Sequence, residues 1–292
     1  MTAPTEAAGD RQLAILGSPI AQALSPVLHR TAYAALQLNW SYGAIDCTPD
    51  RLPSFLATLD DTWAGLSLTM PLKRTVVPLL DEASATVRAA GTANTVIVRG
   101  GRLLGENTDT YGMLQALRDA GVTRAESACV LGTGATATTT LAVLHTLGCT
   151  EATVIAREPA RIRELESTAE RIGLAVRIRP WMETARHLTA DLVVSALPPG
   201  AADNLAPAWP SAVRNTLLDV VYKPWPTPLA DAARHAGTTV IGGLPMLLHQ
   251  AARQVELQTG CTPAPIAAMR AAAVQALTDA PDGDPHVVRA MI

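Results

Sequence analysis

Val130-Leu131-Gly132-Thr133-Gly134-Ala135-Thr136-Ala137 is the stretch on which the fold turns. An apolar run at 128–131 leads into it and an uncharged helical run at 136–147 leads out. The pattern is GxGxxG/A, with Ala137 in the third place. The first glycine permits a tight turn, and the second lets backbone amides approach a pyrophosphate at the helix N-terminus. Glycines also serve plain strand-to-helix turns, so the surroundings carry the reading. Outward from the turn, 152–155 reads as a strand, 159–172 as a helix, and 175–178, 192–195, 217–221 and 239–241 as further strands. Short apolar runs alternating with helices predict a doubly wound parallel sheet of Rossmann type.

Upstream, Leu13-Ala14-Ile15-Leu16 is a short buried strand ended by Gly17-Ser18-Pro19. Ser25-Pro26 starts a helix over 25–36, with Ser25 as N-cap and Pro26 in the first helical position. Strands at 40–44 and 65–69 flank a helix at 51–58, so the region up to Glu106 is a second α/β layer. A helix from 108 to about 120 joins the two layers. After Gly243 two helices, 245–259 and 265–277, have no strand partner nearby and are expected to pack back on the first domain. The predicted division is 1–108 with 244–292 as one domain and 109–243 as the other. The closing stretch from 280 reads as poorly ordered.

A net charge of −3 excludes a broadly basic nucleic-acid surface. Cys47, Cys129, Cys149 and Cys261 are scattered without CxxC spacing and read as free thiols of a reducing compartment. The opening residues lack the basic and apolar regions of a signal peptide. The longest uncharged run, 127–150, is broken by glycines and threonines and is no membrane span. A cytoplasmic protein, free of membrane and nucleic acid, monomeric or homodimeric, is expected. His29, His145, His187, His235, His249 and His286 form no ligand spacing, so no metal is expected.

Four polar clusters stand out. Gly65-Leu66-Ser67-Leu68-Thr69-Met70-Pro71-Leu72-Lys73 is an apolar strand that ends on an ammonium group. Lys73 either opens a solvated helix turn beside Arg74 or is delivered to a cleft. Gly91-Thr92-Ala93-Asn94-Thr95 lies between helix and strand, and Gly105-Glu106-Asn107-Thr108-Asp109-Thr110-Tyr111-Gly112 lies at the domain junction. Gly243-Leu244-Pro245-Met246-Leu247-Leu248-His249-Gln250 lies where the chain re-enters the first domain. Singly each is an ordinary cap or turn, and Asp109 could cap its helix. Together they supply a lysine, an aspartate and small hydrogen-bonding groups beside a dinucleotide fold, where a substrate cleft is expected. Past the strand at 152–155, Ala156-Arg157-Glu158 puts a guanidinium where NAD sites place an acid, which points to NADP; a surface arginine paired with Glu158 is the plain alternative.

The blocks resemble the shikimate dehydrogenase family. The resemblance rests on Gly17-Ser18-Pro19-Ile20, Ser25-Pro26 and His29; Thr69, Pro71 and Lys73; Gly91, Asn94 and Thr95; Gly105, Asn107-Thr108-Asp109 and Gly112; Gly132 and Gly134; Asp219-Val220-Val221-Tyr222; Pro226-Thr227-Pro228-Leu229; and Gly243, Met246, Leu247 and Gln250. It implies NADPH-dependent reduction of the ring ketone of 3-dehydroshikimate to shikimate, with Lys73 and Asp109 as the catalytic pair. It also implies substrate contacts from Ser25, Thr69, Asn94, Tyr222 and Gln250. Gly132, Thr133, Gly134, Ala135, Arg157, Val221, Gly243 and Met246 would hold the cofactor. The family's HSxS segment reads Gln22-Ala23-Leu24-Ser25 here, so Ala23 stands where the resemblance puts a carboxylate-binding serine, and Ser67 replaces an asparagine. Quinate, an amino analogue or another cyclic polyol acid is therefore an alternative substrate. Retained Lys73, Asp109 and Gln250 speak against a non-catalytic NADP-binding regulator.

Overall fold

A computed structural model describes residues 9–157 and 162–280. Glu158, the expected helix start at 159 and the tail from 281 lie outside the described residues. The chain divides into two compact units, 9–112 with 248–280, and 113–247. Both changeovers, at 112/113 and 247/248, fall inside helices.

The first unit contains β1 (Arg11–Gly17), α1 (Ser25–Ala35), β2 (Trp40–Asp46), α2 (Leu52–Leu56), β3 (Trp63–Leu68), α3 (Leu72–Thr75), β4 (Glu82–Ala83), α4 (Ala85–Ala90), β5 (Thr95–Arg99) and β6 (Arg102–Glu106). Its sheet runs β2-β1-β3-β5-β6-β4. β1 pairs in parallel with β2 and β3, whereas β5 runs antiparallel to both β3 and β6. Simple strand–helix alternation up to Glu106 therefore needs a correction: β5 and β6 form a hairpin. Gly100-Gly101 turns it, with φ of +56° and +71°, the left-handed angles a two-residue hairpin loop demands. A second correction concerns Ser25. Leu24 holds the cap position with helical angles (φ −83°, ψ −15°), so Ser25 lies buried inside the first turn and no side chain caps that end.

α5 (Thr108–Asp119) leads into the second unit, which adds β7 (Ala128–Leu131), α6 (Ala135–Thr146), β8 (Glu151–Ala156), α7 (Ile162–Ile172), β9 (Ala175–Pro180), β10 (Leu192–Ser195), β11 (Thr216–Asp219), α8 (Pro228–His235) and β12 (Thr239–Ile241). All its strand pairs are parallel, in the order β12-β11-β10-β7-β8-β9. The order reverses at β7, the strand that carries the glycine turn. Alternate residues face opposite cores: Ala128 and Val130 enter one apolar cluster, Cys129 and Leu131 the other. Burial on both faces explains why these strands read as unbroken apolar runs. α8 was not among the expected elements, although Thr227 caps it and Pro228 opens it.

α9 (Gly243–Thr259) and α10 (Ile266–Thr278) close the chain. From Leu248 onward they belong to the first unit, where α10 packs on α1. Cys47, Cys129 and Cys149 are buried free thiols, and Cys261 is a half-buried one. Among the described residues, no helix is long and apolar enough to cross a membrane, and no cluster of three or more side chains could hold a metal.

Candidate active site

The cluster in the first unit begins at a turn. β3 stops at Leu68, and the Thr69 N–H donates to the Leu16 carbonyl of β1 (2.9 Å) while its own carbonyl accepts from Leu72 (2.8 Å). Lys73 is thus the second residue of the short α3. Its carbonyl accepts from the Ala93 N–H at 2.8 Å. The next residue, Asn94, bridges two strand ends: its carbonyl accepts from Leu68 (2.7 Å) and its N–H donates to Glu106 (3.1 Å). Asn107 then starts α5. Its Oδ1 accepts from the Thr110 N–H (3.3 Å), and its Nδ2 donates to the Thr92 carbonyl (3.0 Å) and hydroxyl (2.9 Å). Asp109 therefore sits in the first turn of α5, at the helix end that favours a carboxylate.

These backbone ties bring four of the expected site residues into contact. Lys73 Nζ lies 2.5 Å from Asp109 Oδ2. Asn94 Nδ2 donates to Asp109 Oδ1 (2.9 Å) and to Gln250 Oε1 (3.1 Å). Asn94 Oδ1 accepts from the Thr108 N–H (2.7 Å) and the Thr95 hydroxyl (2.8 Å). A backbone N–H can only donate, so the asparagine amide is fixed with its NH₂ toward the aspartate. Both oxygens of Asp109 act as acceptors, the pattern of a carboxylate. The Lys73 side chain retains 15% exposure against 7% for Asp109, so the lysine is the more accessible member of the pair.

A second polar layer lies beneath. Gln254, one helical turn after Gln250, donates to the Asn94 carbonyl (3.1 Å) and the Thr95 hydroxyl (2.9 Å). Its Oε1 accepts from the Ser67 hydroxyl (3.0 Å) and faces His29 Nε2 (3.2 Å). Tyr42 donates to Ser67 (2.6 Å), and the His29 ring stacks on Tyr42 with centroids 4.1 Å apart. Because Gln254 Oε1 only accepts, His29 carries its proton on Nε2, and Nδ1 accepts from the Tyr33 hydroxyl at 3.2 Å. Burial pushes His29 down to about 3 against the opposing pull of the Gln254 bond. It is a neutral structural imidazole. The same burial pushes Tyr33 and Tyr42 up. Ser67, Thr95, Asn107 and Gln254 had no assigned part; for Gln254 the i,i+4 spacing from Gln250 was the available signal. Ser25 is buried at the start of α1 and takes no part in these hydrogen bonds.

The remaining candidates belong to the second unit. Gly132 has φ +111°, and a Cβ there would lie 3.2 Å from the Ala196 carbonyl and 3.1 Å from Leu197. Gly134 caps α6 with no side-chain hydrogen bond, and a Cβ on it would meet nothing within 4 Å. The space beside Gly134, at the N-terminus of α6 and between buried Thr133 and half-exposed Ala135, is thus open. That space suits a pyrophosphate. The Gly132 N–H donates to the Ile155 carbonyl (3.0 Å), which sets the turn against the tip of β8. Beyond that tip the Arg157 guanidinium lies 3.9 Å over the Trp181 ring and donates to the Ala201 carbonyl. The Gly243 N–H bonds the Val221 carbonyl (3.1 Å). Tyr222 lies in a loop held at both ends by Asp219, which accepts from the Val221 N–H (3.2 Å) and the Thr227 hydroxyl (2.7 Å). Met246 packs into the apolar core.

A glycine turn at a helix N-terminus on a parallel sheet, a basic group at the adjoining strand tip, and a lysine–aspartate–asparagine cluster are the parts a dinucleotide-dependent dehydrogenase needs. Residues 15–96 match the family model of the shikimate dehydrogenase substrate binding domain, and 243–274 that of the shikimate 5'-dehydrogenase C-terminal domain. The shikimate dehydrogenase (NADP(+)) of Symbiobacterium thermophilum is 35% identical over 288 residues, 93% of this chain and 96% of its own. The crystal structure of Mycobacterium tuberculosis shikimate dehydrogenase has a TM-score of 0.82 at 39% identity, covering 91% of this chain and 99% of that one. The shikimate 5-dehydrogenase of Thermus thermophilus, in complex with NADP(H) and shikimate, has a TM-score of 0.79 at 34% identity, covering 91% and 100%. The chain belongs to the shikimate dehydrogenase family.

Proposed function

We propose that this protein catalyses the reversible NADPH-dependent reduction of 3-dehydroshikimate to shikimate, with Lys73 and Asp109 as its acid–base pair. The observation that carries the mechanism is the 2.5 Å contact of Lys73 Nζ with Asp109 Oδ2, backed by Asn94. NADPH, when bound, supplies the hydride. Reduction of a ketone leaves negative charge on oxygen, so the site needs a positive group and a proton there. Lys73 supplies both. Asp109 holds the ammonium and offers acceptors to substrate hydroxyls. Asn94, Gln250, Thr69, Ser25 and Tyr222 are the groups assigned to the remaining hydroxyls and the carboxylate. The amides around Gly132, Thr133, Gly134 and Ala135 take the pyrophosphate, Arg157 forks onto the 2′-phosphate, and Val221, Gly243 and Met246 complete the cofactor contacts.

Steady-state kinetics of shikimate oxidation with NADP+ test this reading. Lys73→Ala and Asp109→Asn should each lower kcat by ~10²-fold or more, the usual range for losing acid–base help, with NADP+ affinity unchanged. Near-normal turnover in Lys73→Ala would remove the lysine from the chemistry.

A further inference from the structure

We infer that Trp181 is a positioning residue for NADP recognition: its indole holds Arg157 in the pose that a 2′-phosphate meets. The inference rests on the assignment of Arg157 to that phosphate. The juxtaposition follows from register. β8 and β9 are parallel, and their last paired residues are Ala156 and Pro180. Arg157 and Trp181 are the next residue on each strand, so they leave the same end of the sheet side by side. The two differ in anchorage. Trp181 opens a 3₁₀ turn, Trp181–His187, and is half-buried against the apolar cluster containing Leu131, Ile155 and Leu188. Arg157 is exposed. A half-buried indole therefore serves as a shelf for an exposed guanidinium, 3.9 Å above the ring.

The geometry leaves the arginine useful. Stacking consumes the face of the guanidinium, and the Ala201 carbonyl takes one Nη2 hydrogen. Phosphate is gripped in the plane by a fork of N–H groups, at right angles to the stack. Trp181 and a 2′-phosphate thus do not compete for the same surface. Holding the side chain beforehand reduces the ordering that binding must impose. NAD carries no 2′-phosphate, so the shelf should be indifferent to it. The bland reading is that the arginine stem merely covers an indole; it predicts no selective effect on either cofactor.

Isothermal titration calorimetry of the full chain with NADP+ and NAD+ decides. Trp181→Leu should weaken NADP+ binding by ~2- to 5-fold, the size of an exposed cation–π contact, and leave NAD+ unmoved. Trp181→Phe, which keeps a ring, should sit near the wild type. Arg157→Ala should weaken NADP+ alone by ~10- to 150-fold, and adding Trp181→Leu to it should cost nothing more. Calorimetric stoichiometry separates misfolded protein from weakened protein. Equal weakening toward both cofactors in Trp181→Leu, or a loss that persists in the Arg157→Ala background, overturns the inference. If Arg157→Ala discriminates between the cofactors and Trp181→Leu does not, only the role of Trp181 falls. If Arg157→Ala does not discriminate, the assignment of Arg157 falls and takes Trp181 with it.

Discussion

Ala23 stands where the family resemblance puts a carboxylate-binding serine, so the proposed substrate is tested there. Its N–H closes a small turn onto the Ile20 carbonyl (3.1 Å), between exposed Gln22 and buried Leu24, and its side chain has no hydroxyl to offer. A hydroxyl bonded to a carboxylate contributes about 1.5–3 kcal/mol, or ~10- to 150-fold in affinity. Ala23→Ser should therefore lower KM for shikimate by about that factor, as initial-rate kinetics can measure. An unchanged KM, with a rise in Gln22→Ala, would mean that the Gln22 amide already serves the carboxylate; no change in either variant would mean that this turn does not face it. A fall for shikimate with a rise for quinate or an amino analogue would mark one of those as the better substrate. Lys73 stands out at this scale because it ends an uncharged run over 62–72, whereas its pairing with Asp109 came only as what the resemblance implies. Ser67 and Gln254 do not stand out. Their value lies in a buried bond between positions 187 residues apart, and the one local sign, the i,i+4 spacing of Gln254 from Gln250, does not point to Ser67.

At the scale of elements, the strand–turn–helix around Gly132 makes two glycines do different work. Gly132 has a left-handed φ of +111° and backbone within 3.2 Å of a Cβ, so Gly132→Ala strains the fold itself. Such strain costs about 1–3 kcal/mol and should lower the urea midpoint. Gly134 has extended angles (φ −76°, ψ −174°) that any residue adopts, and its missing Cβ points to open ground. Gly134→Val should keep the urea midpoint close to wild type and weaken NADP+ binding in a calorimetric titration. Loss of stability alone in Gly134→Val, with intact binding, would show that the open ground is not the cofactor's. The turn and β7 were legible because an apolar run of four residues closed by glycine admits few readings. The β5–β6 hairpin was missed although Gly100-Gly101 signalled it, because strand–helix alternation was extended across it. The Arg157–Trp181 stack needed the β8–β9 register, which the residues alone do not supply.

At the scale of the whole molecule, aromatic residues are 3% of the chain, yet Tyr33, Trp40 and Tyr42 gather with His29 under the proposed catalytic cluster. The polar layer from Lys73 to His29 thus rests on a cluster of packed rings, and its stability is tied to pH. His29 would titrate near 6.5 in the unfolded chain and is pushed down to about 3 in the fold by burial. Its neighbours Tyr33, Tyr42 and Gln254 bring no charge to offset protonation. Between those values the unfolded chain binds the extra proton, so this contribution is fully present above pH 6.5 and is lost as pH falls toward 3. Asp219 acts in the opposite sense: burial raises it, so its own contribution improves as pH falls through the carboxylate range. Comparing variants isolates the imidazole. His29→Gln keeps an amide donor but cannot titrate. It should be less stable than the wild type at pH 7, through loss of the stack on Tyr42. From pH 6.5 to 4 the wild type should lose up to ~1.4 kcal/mol per pH unit more than the variant, the limit for a single proton. Urea midpoints followed by fluorescence at half-unit steps would show the two curves converging. Parallel curves would mean that His29 takes up its proton in the fold as readily as in the open chain, and the buried neutral imidazole would have to be abandoned.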